Sequence, residues 1–172
     1  MKNISFRNDI LPLKNELYRL ALRITLNPAE AEDVVQETMI KVWNRREQWQ
    51  QLESVEAFCL TICRNTALDK SRKMGNQSQS LDENNYQAPD PSYSANPEER
   101  AIQQDRIEMV RKIMDSLPEK QRSVMQLRET EGKSYKEIAA VMDISEEQVK
   151  VSIFRARQAI KQRYEQIERY GL

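Results

Sequence analysis

The sequence has no histidine, three glycines and two cysteines in 172 residues. Without imidazole there is no histidine general base, no Ser-His-Asp triad and no His-ligated metal site. Three glycines are too few for a turn-rich β-sandwich or a glycine-rich phosphate loop, which moves the expectation to an all-α chain. No run of 18 apolar residues occurs, and the N-terminus turns polar within its first eight residues, so neither a membrane span nor a signal peptide is expected and the location follows as cytoplasmic. The two cysteines, Cys59 and Cys63, lie four apart in a helical stretch. They are too few for a zinc site, and one helical turn would strain a disulfide. They read as small apolar fillers on a buried helix side. No metal or cofactor is expected.

What is present is charge, in uneven blocks. The 27 basic and 27 acidic groups cancel over the whole chain. From Asn27 to Met39, however, there are four acids (Glu30, Glu32, Asp33, Glu37) and no base. From Gln148 to Gln162 there are four bases (Lys150, Arg155, Arg157, Lys161) and no acid. The first patch suits a basic partner and the second an anion such as DNA phosphate; each is equally open to being a solvated helix face.

Apolar periodicity organises the chain into helices. Leu13, Leu17, Leu20, Ala21 and Ile24 mark a helix over 10–26. Asn27-Pro28-Ala29-Glu30 then opens a second, with Asn27 as cap and Pro28 at the first position. Its buried stripe is Ala31, Val34, Val35, Thr38 and Val42. Opposite lie Asp33, Gln36, Glu37 and Ile40, bordered by Met39 and Trp43. An acidic stripe carrying apolar residues reads either as a protein-binding surface or as the edge of a wide core face. Residues 45–53 break the period and form a loop holding Trp49. Ser54 can cap a third helix over about 55–73, with Val55, Phe58, Cys59, Ile62 and Thr66 on its apolar side and Arg64, Asn65, Asp69, Lys70, Arg72 and Lys73 in its polar, net basic later part.

Residues 74–96 are rich in Asn, Gln, Ser, Asp and Pro, hold little apolar content and read as a flexible acidic linker. The chain is therefore expected as two small helical domains, 1–73 and 97–172. In the second, Asn96-Pro97 caps a helix running to about Asp115, and Leu117-Pro118 begins another that reaches about Glu129 and ends before Gly132. Ser134–Glu137 and Ser145–Gln148 are two capping boxes eleven residues apart, split by Asp143-Ile144. That is helix-turn-helix spacing.

With Val149, Ile153, Ala156 and Ile160 turned inward, the second helix presents Gln148, Val151, Ser152, Arg155 and Gln158, with Lys150 and Arg157 at its flanks. Arginine takes guanine edges, glutamine takes adenine, and valine touches a thymine methyl. Flanking bases fix register on phosphates. A plain structural hairpin is the other reading of the same spacing.

Several segments in order resemble one family. Ala31–Met39 looks like the core-polymerase-binding motif, and Cys63–Lys73 the promoter-melting helix, of region 2 of the extracytoplasmic-function (ECF, group 4) sigma factors of the sigma-70 superfamily. Leu117–Arg122, Gly132–Ala139 and Ile153–Arg157 are similar to region 4. The match spans 16–73 and 97–163, about 125 of 172 residues.

The resemblance implies a bacterial transcription initiation factor and not an enzyme. Residues 1–73 would be region 2, binding core RNA polymerase and melting the minus-ten element; 97–172 would be region 4, reading the minus-thirty-five element. It implies that Asp33, Gln36, Glu37, Met39, Ile40 and Trp43 dock on the polymerase clamp helices. It assigns Trp49, Arg64, Asn65, Asp69 and Arg72 to minus-ten DNA. There the family holds a flipped base, and stacking must offset the unstacking cost. Gln148, Lys150, Val151, Ser152, Phe154 and Arg155 would face the upstream element. Trp49 is open to a second reading as a hydrophobic plug between helices.

Partners implied are core RNA polymerase, promoter DNA and an anti-sigma factor, with no membrane insertion of the chain's own. The chain departs from the family pattern at Asp143, where many members have Gly, and at Ser152, where many have Arg. Asp tolerates the left-handed turn conformation. The alternatives are a conventional dimeric helix-turn-helix regulator, bound to a palindromic site without polymerase, and a helical adaptor with no salt-dependent DNA affinity.

Overall fold

The structure, a computed structural model, describes residues 3–75 and 97–170. The described residues are helical with no strand. In the first domain, α1 (Lys14–Thr25), α2 (Pro28–Asn44) and α3 (Val55–Gly75) pack pairwise into a three-helix bundle. A wide π turn, Phe6–Ile10, and a 3-10 turn, Leu11–Leu13, lead into α1, so the regular α-helix starts four residues later than the apolar periodicity suggested. Ser5 caps the first of these by accepting from Asn8 N–H, and Pro12 sits at the start of the second, where its missing N–H costs nothing.

The expected stripe of α1 is buried at Leu17, Leu20, Ala21 and Ile24. That of α2 is buried at all five expected positions, Ala31, Val34, Val35, Thr38 and Val42. Each such aliphatic side chain withdrawn from water contributes about 1.5–3 kcal/mol. Asn27 caps α2 by accepting from the Glu30 backbone N–H at 3.0 Å, and Ser54 caps α3 by accepting from Ala57 N–H at 3.1 Å.

The bundle holds two features not anticipated. Residues Arg46–Gln51 are a 3-10 helix rather than an irregular loop. Further, α3 is buried beyond the expected stripe, at Leu60, Cys63 and Ala67 as well as Cys59, Ile62 and Thr66. The reason is that α3 packs on α1 and α2 with one side and on the second domain with another. Both cysteines are free and buried. Burial pushes each thiol up to about 12, and the Cys63 thiol donates to the Leu17 carbonyl at 3.3 Å. They are core fillers.

The second domain comprises α4 (Pro97–Asp115), α5 (Glu119–Met125) continuing through a wide π turn at Gln126–Thr130, α6 (Tyr135–Met142) and α7 (Glu146–Tyr170). α4, α5 and α6 all pack on α7. Gly132 has φ +69°, which suits a residue without Cβ, and ends the α5 segment. α3 extends to Gly75, two residues past the expected boundary. The remaining linker positions, 76–96, and the expected cap Asn96 lie outside the described residues.

Candidate functional site

Three exposed faces carry the candidate residues. The first is on α2. Asp33, Gln36, Glu37 and Ile40 share one side of the helix and are exposed, with Met39 half-buried beside them. Trp43 continues the face, and Ile40 and Trp43 leave 60% and 46% of their surfaces open. Two large apolar residues exposed side by side, rimmed by polar ones, are the kind of patch that marks an interaction surface. Lys41 reaches Glu37 at 3.6 Å but also donates to Thr66 Oγ1 at 3.0 Å, so it braces α2 against α3. Asp33 forms no ion pair among the described residues.

The aromatic cluster behind this face was only partly legible. Phe6 meets Trp43 edge-on at 5.7 Å and stacks with Trp49 at 6.4 Å, while Trp43 and Trp49 lie 6.0 Å apart. The guanidinium of Arg46 sits 4.8 Å over the Trp43 ring, an i, i+3 pair that helical spacing could have suggested. Trp49 does not offer its ring to a base in this structure. It is 6% exposed, and its indole N–H donates to the Val42 carbonyl at 3.1 Å. It plugs the bundle and caps the end of α2, the second of the two readings open at the sequence level.

The second face is the later half of α3. Asn65, Asp69 and Arg72 are exposed on its surface. Arg64 is not: its side chain is 13% exposed and pairs with Glu119 of α5 at 3.2 Å. The structure thus brings three of the five expected minus-ten residues together in the open, and puts Trp49 and Arg64 under cover.

The third face is the start of α7, reached through a helix-turn-helix. Its first helix, α6, is held by a reciprocal capping box: Glu137 N–H donates to Ser134 Oγ at 3.1 Å, and Ser134 N–H donates to Glu137 Oε1 at 3.0 Å. The backbone hydrogen bond from Ser134, then its side-chain bond, hold the Glu137 carboxyl below the usual glutamate range. The turn is made by Asp143 at φ +54°, ψ +50°, the left-handed conformation expected of it. Ser145 and Gln148 form the second box, at 3.0 and 3.1 Å.

On α7, Gln148, Lys150, Val151, Phe154 and Arg155 are exposed, Phe154 at 63%. Ser152 is not part of this surface. It is 8% exposed beside buried Val149 and Ile153. The inward stripe is wider than the expected one because α7 is covered by α4, α5 and α6 together. A long arginine there would have to leave the core, so a small hydroxyl fits. Two supports were missed. Arg157 pairs with Glu129, its Nε at 3.1 Å, tying α7 to the π turn. The Tyr135 ring carries the Arg128 guanidinium at 4.5 Å on one contact and the Lys150 ammonium at 5.9 Å on another.

An acidic-apolar helix face, a basic helix side and a helix-turn-helix within one chain fit a factor joining a protein partner to DNA, and comparison with known proteins decides which. Residues 10–77 match the family model described as sigma-70 region 2, and residues 107–160 match sigma-70 region 4. The chain is 32% identical over 137 residues to the ECF RNA polymerase sigma-E factor of Escherichia coli (strain K12), across 76% of this chain and 72% of that protein. The chain belongs to the ECF sigma factors of the sigma-70 family. The sigma-E factor of Salmonella typhimurium (strain LT2) matches equally, at 32% over 137 residues. A Xanthomonas campestris pv. campestris protein described as "Probable RNA polymerase sigma factor RfaY" is 30% identical over 151 residues; there the match takes in 86% of this chain and 37% of that protein's length.

Two solved structures share the fold. The sigma factor RpoE, in complex with the anti-sigma factor NepR from Bartonella quintana, has a TM-score of 0.72 at 23% identity, covering 93% of this chain and 96% of that one. CnrH, in complex with the cytosolic domain of CnrY, has a TM-score of 0.61 at 20% identity, covering 91% of this chain and 84% of that one. Sigma factors of this family are transcription initiation factors rather than catalysts. Two sigma regions in the family order also disfavour a conventional dimeric regulator. No helix among the described residues is long and apolar enough to cross a membrane.

Proposed function

We propose that this sigma factor works in the cytoplasm without chemistry of its own, and that its three exposed faces divide the task. The acidic face of α2 docks on core RNA polymerase through Asp33, Gln36 and Glu37, with Met39, Ile40 and Trp43 supplying apolar contact. The observation that carries this reading is the exposure of Ile40 and Trp43 on an acidic helix side. Asn65, Asp69 and Arg72 of α3, joined by Arg64 once it is released, serve the minus-ten element. Gln148, Lys150, Val151, Phe154 and Arg155 of α7 read the minus-thirty-five element; Lys150 is braced on Tyr135 near the phosphate backbone.

Residues 1–75 act as region 2 and 97–172 as region 4, with 76–96 as the linker. Each region reads a short site, so free DNA affinity is weak, and docking on polymerase raises the effective concentration of the second region at its element. An anti-sigma factor is a further partner of this chain, by analogy with the complex of RpoE with NepR.

The test is run-off transcription with purified core polymerase on a genomic promoter library. The expected outcome is a discrete set of transcripts that depend on the protein and share upstream and minus-ten motifs. The Asp33→Ala/Glu37→Ala pair lowers core affinity in a pull-down, and Arg155→Ala spares core binding but weakens promoters with the upstream element. Tight binding of the protein alone to a palindromic site, with no transcripts, would overturn the reading.

A further inference from the structure

Phe6 lies ahead of residue 10, where the match to sigma-70 region 2 begins. Its turn is nonetheless closely built. Ser5 N–H donates to Asp9 Oδ2 at 2.7 Å, Asp9 N–H donates to the Ser5 carbonyl at 2.8 Å, and Asn8 N–H donates to Ser5 Oγ at 3.4 Å. Ile10 ends the turn fully buried, and the turn packs on α3. Ordering such a segment costs conformational entropy, which these bonds and the burial of Ile10 offset. What the turn delivers is the half-buried ring of Phe6.

That ring helps to hold Trp43, which is gripped from three sides. Phe6 meets it edge-on, with 86° between the ring planes. Trp49 lies across it at 67°. Arg46 sets its guanidinium over the ring and donates from Nη1 to the Trp43 carbonyl at 3.3 Å. Edge-on aromatic pairs and cations over a ring are both attractive and directional.

The two tryptophans differ in what they leave over. Trp49 is buried and commits its indole N–H to Val42. Trp43 keeps nearly half of its surface open, and its indole N–H meets no acceptor among the described residues. An unsupported side chain at a helix end spreads over several staggered rotamers. A partner groove accepts one of them, and apparent affinity falls with the fraction of molecules that hold it. Tryptophan is also the residue type in which binding energy is most often concentrated. Arg46 sharpens the point. As a bare charge, an exposed base next to an acidic face opposes a basic partner. Its place over the Trp43 ring gives it another use.

We propose that Phe6 and Arg46 are positioning residues for polymerase docking: building on the role given to the α2 face above, they clamp Trp43 in the orientation that enters the polymerase. The open part of the ring takes an apolar contact, and the indole N–H donates to a carbonyl or carboxylate oxygen of the partner. Phe6 and Arg46 act through Trp43. The docking element therefore begins in the turn before α1 and not at α2.

The test is a binding cycle with the full chain and purified core polymerase. Trp43→Ala should weaken core binding by about 30-fold. Phe6→Ala should weaken it by about three- to tenfold, and Phe6→Tyr should restore it to within about twofold. In the Trp43→Ala background, Phe6→Ala should have no further effect. Arg46→Met should weaken binding by about two- to threefold, whereas loss of its charge alone would tighten it. In a Trp49→Phe chain, Trp43 is the sole tryptophan. Its fluorescence anisotropy should fall with Phe6→Ala and recover with Phe6→Tyr. Phe6→Leu, which fills the space without a ring, carries the test if Phe6→Ala fails to fold. An equal loss from the Phe6 substitution with and without Trp43 would overturn the positioning role, because Phe6 would then act through the fold at large. Folded Phe6 variants that bind core as wild type does, while Trp43→Ala does not, would overturn it too and leave the docking role of α2 standing. Tighter binding by Arg46→Met would remove Arg46 from the clamp. Unaltered core binding in Trp43→Ala and in Asp33→Ala/Glu37→Ala alike would overturn the docking role and the clamp together.

Discussion

Gln148 holds two roles that one substitution can separate. Its Oε1 accepts from the Ser145 backbone N–H at 3.0 Å, which closes the box at the start of α7, and in the proposed function its amide nitrogen serves the upstream element. Gln148→Glu keeps the acceptor and places a negative charge in the first helical turn, where it is favoured by about 0.3–1 kcal/mol. The nearby acids Glu146 and Glu147 offset part of this, so the gain belongs at the low end. For a region of this size the melting temperature should rise by about 1–4 °C or stay level.

The same change removes the amide donor and turns a carboxylate toward phosphates. A base-edge contact of this kind contributes about 1–3 kcal/mol, so transcription from promoters with the upstream element should fall roughly 5- to 150-fold. Core binding, which the proposal places on α2, should not move. Differential scanning calorimetry, run-off transcription and pull-down read the three quantities. Lost stability with unaltered promoter use would refute the geometry, because it would mean that the glutamine serves the fold through both ends of its amide.

The remaining predictions concern the bundle and the first box. Trp49→Ala should destabilise region 2 by about 3–5 kcal/mol in denaturant unfolding, since it empties the cluster of Phe6 and Trp43 and orphans the Val42 carbonyl; Trp49→Phe should cost about 1 kcal/mol and leave promoter melting intact, and a stable Trp49→Phe protein unable to melt a promoter would restore the base-stacking role. Glu137→Gln should flatten the acid side of the stability profile. The folded carboxyl lies below its unfolded value of about 4.3, so its contribution is whole above that pH and lost as pH falls through the folded value; melting curves from pH 7 to pH 3 that overlay those of wild type would dismiss this.

Local signals in the sequence were readable because their physics is local. Asn27, Ser54, Ser134 and Ser145 cap helices through backbone groups three residues away. A stripe such as Ala31-Val34-Val35-Thr38-Val42 needs only a neighbour of any kind. Signals that depend on which neighbour were not readable. Ser152 sits on the helix side that spacing assigns to solvent, and it is buried because three helices cover α7. Arg64 belongs to a recognisable melting helix, yet its nearest charge, Glu119, is 55 residues away. Arg19 and Glu131 are 112 apart. Nothing in a short window records such pairs. Leu26 falls between these cases: a left-handed leucine makes sense only once Arg122 is seen holding the carbonyls before it.

The charge pattern then has one reading that joins all three faces. A chain with no net charge gains little long-range attraction to DNA, and the exposed acids of α2 oppose what attraction there is. The bases that suit DNA are partly spent inside the molecule, Arg64 on Glu119 and Arg157 on Glu129. Among the described residues the acids of α2 are spent hardly at all: Lys41 reaches Glu37, and it divides itself between that carboxylate and Thr66. The surface most ready for a partner is therefore the α2 face, the one the proposal gives to polymerase. On that proposal, docking there first would set a basic partner surface against the acidic face, and only afterwards would the balance of the complex favour phosphate. The proposed faces thus imply an order of events, polymerase before promoter, from where the opposite charges lie along the fold.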